Sequence, residues 1–355
     1  MVLPGLIDSH VHAPAAAMFE LDHEIPSMET IAEVLAYIAS RTRVVPEGEW
    51  IQTQQVFITR LQEARFPTRT ELDAVAPHHA VNFRTGPDNM LNTLALQKCA
   101  FDRTWTVQDG GPGYLEKDAA GDPTGLVRGL ARYIKMSGTG RVPTPAQSRE
   151  RLQALFHDYN QTGFTAVCDR GATPESIKRY EELRADGALT LRVAMSQTFP
   201  TVGPMTSILA AIDGIATSPL RAPDAWLRLI GTKIWLDGGM LTGSAYMVKP
   251  WGRNDNYGIR DDTYRGVLNV PGDRLRAMIR RVAGHGMQFT AHTVGDGASE
   301  ELLAAYAEID RERPLRDLRP CISHSNFMTP ETVAAAARLG VVMDVQPIWL
   351  YLDTR

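Results

Sequence analysis

Two histidines one residue apart, His10 and His12, close a short apolar run near the start of the chain, Asp8-Ser9-His10-Val11-His12. On an extended strand residues i and i+2 project from the same face, so the two imidazoles point together. A pair of that kind can ligate one divalent cation such as zinc, although core packing yields a lone His-x-His pattern just as readily. Lys233 interrupts the strongly apolar run 227–236. A buried ammonium is costly unless it is paired or neutral. Lys233 therefore either turns outward, pairs with an acid such as Asp237, or stays as a desolvated, nucleophilic amine. Such an amine captures carbon dioxide, and the resulting carbamate is a carboxylate able to hold two cations. His292 and His324 each end an apolar run, Phe289-Thr290-Ala291-His292 and Cys321-Ile322-Ser323-His324. Each alone reads as an ordinary hydrogen-bonded histidine. His23, His78, His79, His157 and His285 fall in loops or on helices and read as surface residues.

The elements that must position these groups are legible from periodicity. An apolar strand over 3–11 is followed by a helix over 28–41, where apolar residues recur at helical spacing. Residues 44–143 lose the rhythm. They hold short alternating pieces and glycine-rich turns, too long a stretch for a connection, and are read as an inserted subdomain. Then helices and strands alternate: helix 146–163 and strand 164–168, helix 173–186 and strand 190–195, helix 205–216 and strand 227–236. Helices 273–285, 297–311 and 330–339 precede strands 287–291, 321–323 and 341–346. This α/β alternation specifies βαβ units and a parallel sheet. The sequence holds no GxGxxG or GxxxxGK[ST] phosphate loop, which disfavours a doubly wound open sheet. Seven strands instead predict a (β/α)8 barrel that stops one strand short. In a barrel the C-terminal strand ends converge on one rim. His10 and His12 on strand one, Lys233 on strand four, His292 on strand five and His324 on strand six can then meet in space.

Composition narrows the setting. In 355 residues, 44% are hydrophobic, 22% charged and 7% aromatic, the profile of a folded globular chain. A net charge of −4 without any basic run gives no reason to expect nucleic acid or anionic lipid. No apolar stretch approaches the roughly 18 residues that span a bilayer. Cys99, Cys168 and Cys321 form no CxxC pair, so neither a zinc ribbon nor a disulfide framework is expected. A reducing, cytoplasmic compartment fits. The first residues read as a buried strand, unusual for a chain start, and predict that the chain lacks its beginning.

Taken together these residues resemble the amidohydrolase superfamily, and within it the YtcJ-like branch, amidohydrolase family 3, which includes N-substituted formamide deformylase. The likeness begins at Pro4-Gly5-Leu6-Ile7-Asp8-Ser9-His10-Val11-His12. It continues through Gly48-Glu49-Trp50-Ile51, the run 67–77, Asn92-Thr93-Leu94-Ala95-Leu96 and Pro123-Thr124-Gly125-Leu126. Lys233 with Asp237-Gly238-Gly239, His292 with Gly295-Asp296, and Ser323-His324 complete it in order. The resemblance implies a metal-dependent (β/α)8 TIM barrel with a small β-sandwich. It implies one or two zinc ions, the first on His10 and His12, the second on His292 and His324, with carbamylated Lys233 as the bridge. Lys233 and His292 then carry the catalysis. The cations would polarise the substrate carbonyl and lower the pKa of a bridging water that attacks an amide, formamide or cyclic amide C–N bond. The expected partner is a small-molecule substrate, with a homodimer as the candidate assembly.

The chain departs from the family pattern in three places. The strand-eight aspartate and the sandwich strands are absent, so truncation at both ends and weak activity are expected, and Asp353 does not replace that aspartate. Thr85-Gly86-Pro87-Asp88-Asn89-Met90 stands where many members carry a Gly-His pair, which puts the substrate pocket in question. Gly129 stands where related chains place an acid. Two alternatives remain: a mononuclear deaminase, against which Gly295 and Lys233 both count, and a catalytically inactive truncated barrel.

Overall fold

The computed structural model describes residues 2–54, 56–136, 142–222 and 224–349; Asp353 lies outside them. Two sheets organise these residues. The larger contains seven strands: β1 (Leu6–Val11), β7 (Phe164–Ala172), β8 (Arg192–Thr198), β9 (Leu227–Trp235), β10 (Gln288–Thr293), β11 (Cys321–His324) and β12 (Val342–Asp344). They follow one another across the sheet in that order, and every pairing is parallel. Helices α5 (Pro145–Gln161), α6 (Pro174–Ala185), α7 (Met205–Ala216), α8 (Gly272–Gly284), α9 (Asp296–Glu312) and α10 (Pro330–Leu339) alternate with them. Side chains at helical spacing, such as Ile208, Ile212 and Ile215 of α7, form one buried stripe in the same apolar cluster as Val193, Leu229 and Phe289 of the strands. Each burial contributes roughly 1.5–3 kcal/mol. Proline at the first turn and a threonine capping box start α5, α6 and α10, which fixes the point at which each connection turns into helix.

The first and last strands of this sheet are not hydrogen-bonded to each other among the described residues. Their side chains nevertheless meet: Ser9 Oγ on β1 donates to Asp344 Oδ1 on β12 at 2.6 Å. The sheet thus curls into a barrel-like layer. This placement also corrects the reading of the first strand as buried. Leu6 and Ile7 are 54% and 69% exposed, and among the described residues β1 is paired on one side only, to β7.

The second sheet lies between β1 and β7. It runs β2 (Trp50–Thr53), β3 (Ala80–Thr85), β4 (Asp88–Leu91), β6 (Pro123–Arg128), β5 (Tyr114–Lys117). The β2–β3 pair is parallel and the others antiparallel. Alternate residues of β3 and β4 face opposite apolar clusters: Val81, Phe83 and Met90 on one side, Ala80 and Leu91 on the other. Helix α2 (Ile31–Arg41) covers the first cluster with Ile31, Val34 and Ile38, so it packs on this smaller sheet. α1 (Ala13–Ala17) follows β1 directly. Within the smaller sheet a buried ion pair links β4 to β6. Arg128 Nη1 lies 3.1 Å from Asp88 Oδ2, both side chains fully buried, and also donates to the Thr242 carbonyl at 2.7 Å and, through Nη2, to the Tyr257 carbonyl. Arg128 thereby ties the smaller sheet to the long segment between β9 and α8.

Candidate metal centre

Parallel register brings the ends of β9, β10 and β11 level. Lys233 pairs with Thr290, and His292 with Ser323. The imidazoles of His10, His324 and His292 then stand in a row, with ring centroids 4.9 Å and 4.6 Å apart. His12 lies 5.3 Å from His10 with its ring edge-on. It is 45% exposed where His10 is 6% exposed, so His12 forms the solvent boundary of the cluster. It approaches β7 so closely that a Cβ on Gly171 would come within 2.4 Å of its Nδ1; only glycine leaves that room. His324 sits at φ 81° and Ser325 at φ 53°. Left-handed backbone at non-glycine residues costs on the order of 1–3 kcal/mol each and is tolerated where the surroundings over-determine it.

Each ring of the row is fixed through one nitrogen. His10 Nδ1 donates to Asp344 Oδ2 at 3.0 Å, His292 Nε2 donates to the Gly238 carbonyl at 3.0 Å, and His324 Nδ1 donates to Gln346 Oε1 at 2.5 Å. His10 Nε2, His292 Nδ1 and His324 Nε2 have no hydrogen-bond partner among the described residues. This is the arrangement in which a ligating histidine uses one nitrogen for the cation and the other for a protein acceptor. As the rings stand, they pack against one another, and among the described residues no three His, Cys, Asp or Glu side chains already converge as a closed ligand set. The donor chemistry fits a divalent cation all the same: uncharged imidazoles with one lone pair each.

Lys233 is 1% exposed. It neither turns outward nor pairs with Asp237; its Nζ donates to Ser323 Oγ at 3.3 Å. Burial lowers its pKa to about 8, and the charge of Arg170 acts in the same direction. Asp237 instead accepts from the Val294, Gly295 and Tyr246 amides at 3.0, 2.8 and 3.1 Å. Burial raises its pKa to about 7 against those bonds. It pins the segment after β9 to the one after β10, and so holds His292 in place.

Two residues of the cluster escape a motif-based reading. Arg170, on β7, spans the interior: it donates to the Ser9 carbonyl at 3.1 Å, Ser196 Oγ at 3.1 Å and Gln288 Oε1 at 2.8 Å. Its Nε also lies 3.4 Å from Asp344 Oδ2. Asp344, on β12, accepts from Ser9 and His10. Burial alone would raise its pKa, but the His10 and Ser9 hydrogen bonds and the Arg170 charge outweigh it and hold it below the usual carboxylate value. Of the histidines read as surface residues, His79 is buried, its Nε2 donating to the Val45 carbonyl at 2.9 Å. His23 and His285 pair with Asp22 and Asp213.

Burial lowers the pKa of His10 and His324, and that of His292 to about 3. An unfolded imidazole binds its proton near pH 6.5. Between about pH 3 and 6.5 the unfolded chain therefore holds more protons than the folded one, and stability falls as pH falls through that window. The slope is at most about 1.4 kcal/mol per pH unit per histidine. Urea midpoints of metal-free protein should drop between pH 7 and pH 5, before most carboxylates titrate. A flat profile over that interval contradicts neutral, buried imidazoles.

Comparison with known proteins follows the same lines. The profile of the amidohydrolase family matches residues 1–355. YtcJ of Bacillus subtilis is 24% identical over 363 residues, 99% of this chain and 64% of that protein. N-substituted formamide deformylase of Arthrobacter pascens is 30% identical over 203 residues, 55% of this chain and 37% of that enzyme. An uncharacterized metal-dependent hydrolase from Pyrococcus horikoshii shares the fold, with a TM-score of 0.61 at 18% identity over 98% of this chain and 63% of that one. The chain thus spans just under two thirds of the length of YtcJ and of the Pyrococcus protein. Among the described residues no helix is long and apolar enough to cross a membrane.

Proposed function

Because the chain belongs to the amidohydrolase family, we propose that it hydrolyses a non-peptide C–N bond in a small molecule, with divalent cations held by His10, His12, His292, His324 and Lys233. The observation that carries this reading is the orientation of the buried imidazoles: each is bonded to protein through one nitrogen, with the other uncommitted. A cation held there supplies Lewis-acid polarisation of a carbonyl and lowers the pKa of water. The protein's own part is preorganisation. Asp344 keeps the proton of His10 on Nδ1 and so presents Nε2. The Gly238 carbonyl keeps the proton of His292 on Nε2 and presents Nδ1, and Gln346 does for His324 what Asp344 does for His10. Burial lowers the pKa of Lys233 to about 8, so the unprotonated amine at pH 7 is far more populated than for an exposed lysine, at roughly a tenth of the molecules. That amine would add to carbon dioxide, forming an N–C bond and releasing one proton, and would become the anionic ligand beside the four neutral imidazoles.

Elemental analysis of zinc-supplemented protein, together with amine and acid release from N-formyl and N-acyl amines, tests the reading. One to two zinc atoms per chain are expected. Turnover should disappear on chelation and return on adding zinc. Less than about half an atom per chain, unchanged when His10 and His12 are both replaced by alanine, would sink it.

A further inference from the structure

A cleft of about 680 Å³ opens beside His12, the exposed edge of the cluster. One wall is α1, with Ala15 and Ala16, and the turn after it, with Phe19; the other is Arg84 of β3 with Gln54 and Phe57, which follow β2. The walls are chemically uneven. Phe19 and Phe57 are half-buried, and Arg84 is exposed. Phe57 is braced from behind: the Arg60 guanidinium lies 5.0 Å from its ring centre and Trp349 meets it edge-on at 6.3 Å. Arg84 is the only charged residue lining the cleft among the described residues. It makes no ion pair or hydrogen bond among them, and its cross-strand neighbour is the neutral Asn89. It also stands just before Gly86-Pro87, where the chain departs from the family pattern.

A guanidinium without an ion pair or hydrogen bond among the described residues, in a cleft also lined by Phe19, Phe57 and His12, has a definite complement. We propose that this cleft selects N-acyl amines bearing a carboxylate and an aromatic or bulky apolar body, that is, N-acyl amino acids with such side chains. Arg84 binds the carboxylate, and Phe19 and Phe57 grip the apolar body. The inference rests on the hydrolase reading above for its chemistry, though not for its binding. The planar fork of arginine matches a carboxylate with two parallel hydrogen bonds. A single guanidinium, with only the Gln54 amide and the His12 ring as further side-chain donors lining the cleft among the described residues, suits a carboxylate monoanion better than a phosphate dianion, which draws on several donors. Placed this way, the acyl carbonyl reaches toward His12 and the cluster while the carboxylate stays at the outer wall.

The test compares N-acetylphenylalanine with its neutral amide and with N-acetylphenethylamine, which lacks the carboxylate altogether. A charge-assisted hydrogen bond predicts that kcat/KM for the acid exceeds that for either neutral compound by about 10–100-fold. Arg84→Met should erase that preference, bringing kcat/KM for the acid down to that of the neutral compounds. Arg84→Glu should turn it against the acid. The preference should also shrink as salt rises, because the outer wall is solvent-exposed. Equal rates for acid and amide overturn the inference and leave the hydrolase reading standing. If no compound is cleaved, calorimetric titration of the same compounds into metal-free protein decides the inference alone. Binding of the acid that exceeds the amide and is lost in Arg84→Met upholds it; equal binding, or none, overturns it. Thermal melts of both variants should match the parent, since Arg84 is exposed and unpaired.

Discussion

Lys233→Ala is expected to lower turnover by about 10²–10⁴-fold and to cost the protein its second cation. The size follows from the role. Several kcal/mol of charge stabilisation depend on the cations, and each 1.36 kcal/mol is a factor of ten in rate. In the proposed centre, removing the carbamate would take from the His10–His12 and His292–His324 pairs the anion that would neutralise their cations. The deletion leaves a cavity, and small carboxylic acids such as acetate or propionate should enter it and restore part of both the metal content and the rate. Stability should respond in the opposite sense to activity. Lys233 is fully buried with one long hydrogen bond, to Ser323, so Lys233→Met, which fills the volume without the amine, should melt no lower than the parent. Carbon-13 bicarbonate labelling adds a direct readout, a carbamate resonance present in the parent and absent from Lys233→Met. If Lys233→Met keeps both its metal and its rate, Lys233 is a structural residue and the bridging role is wrong.

Periodicity made most of the barrel layer legible. Helix 205–216 coincides with α7 (Met205–Ala216), and helix 330–339 coincides with α10 (Pro330–Leu339), because an apolar stripe and a proline or threonine start are local signals. Strand ends carrying His292 and His324 were legible for the same reason. What escaped was non-local. A run of apolar residues shows that a strand has a face to bury, not whether anything covers it, so β1 read as buried although its Leu6 and Ile7 are exposed. The parallel β2–β3 pair and the docking of α2 on the smaller sheet likewise depend on partners distant in sequence. Asp344 and Arg170 could have been found. A carboxylate within Val341-Val342-Met343-Asp344-Val345 is the same anomaly that marked Lys233, and Asp169-Arg170 follows an apolar strand in the same way. They escaped because no motif names them, and because their role exists only once β7 and β12 face the same interior.

Asp344→Asn is the substitution on which that role can be judged. The carboxylate accepts from His10 Nδ1 and Ser9 Oγ and lies 3.4 Å from Arg170 Nε, so one residue orients a ligand and neutralises a buried cation. An asparagine has nearly the same shape but only one acceptor oxygen. If that oxygen stays with Ser9 at the Oδ1 position, the amide N–H₂ takes the Oδ2 position and faces both Arg170 Nε and His10 Nδ1, and the ring must move its proton to Nε2, the nitrogen meant for the cation. Removing a carboxylate behind a metal-binding histidine typically costs 10–100-fold in metal affinity or activity, and zinc affinity by competition titration should fall by about that much. Stability should fall as well, because Arg170 loses its only anion among the described residues and keeps only neutral partners. Ser9→Ala separates the two effects: it removes one hydrogen bond to Asp344 without touching the His10 contact, so it should lower the melting temperature while leaving zinc affinity within about 3-fold. If Asp344→Asn destabilises the fold yet binds zinc as tightly as the parent, the carboxylate serves the barrel alone and does not set the orientation of His10.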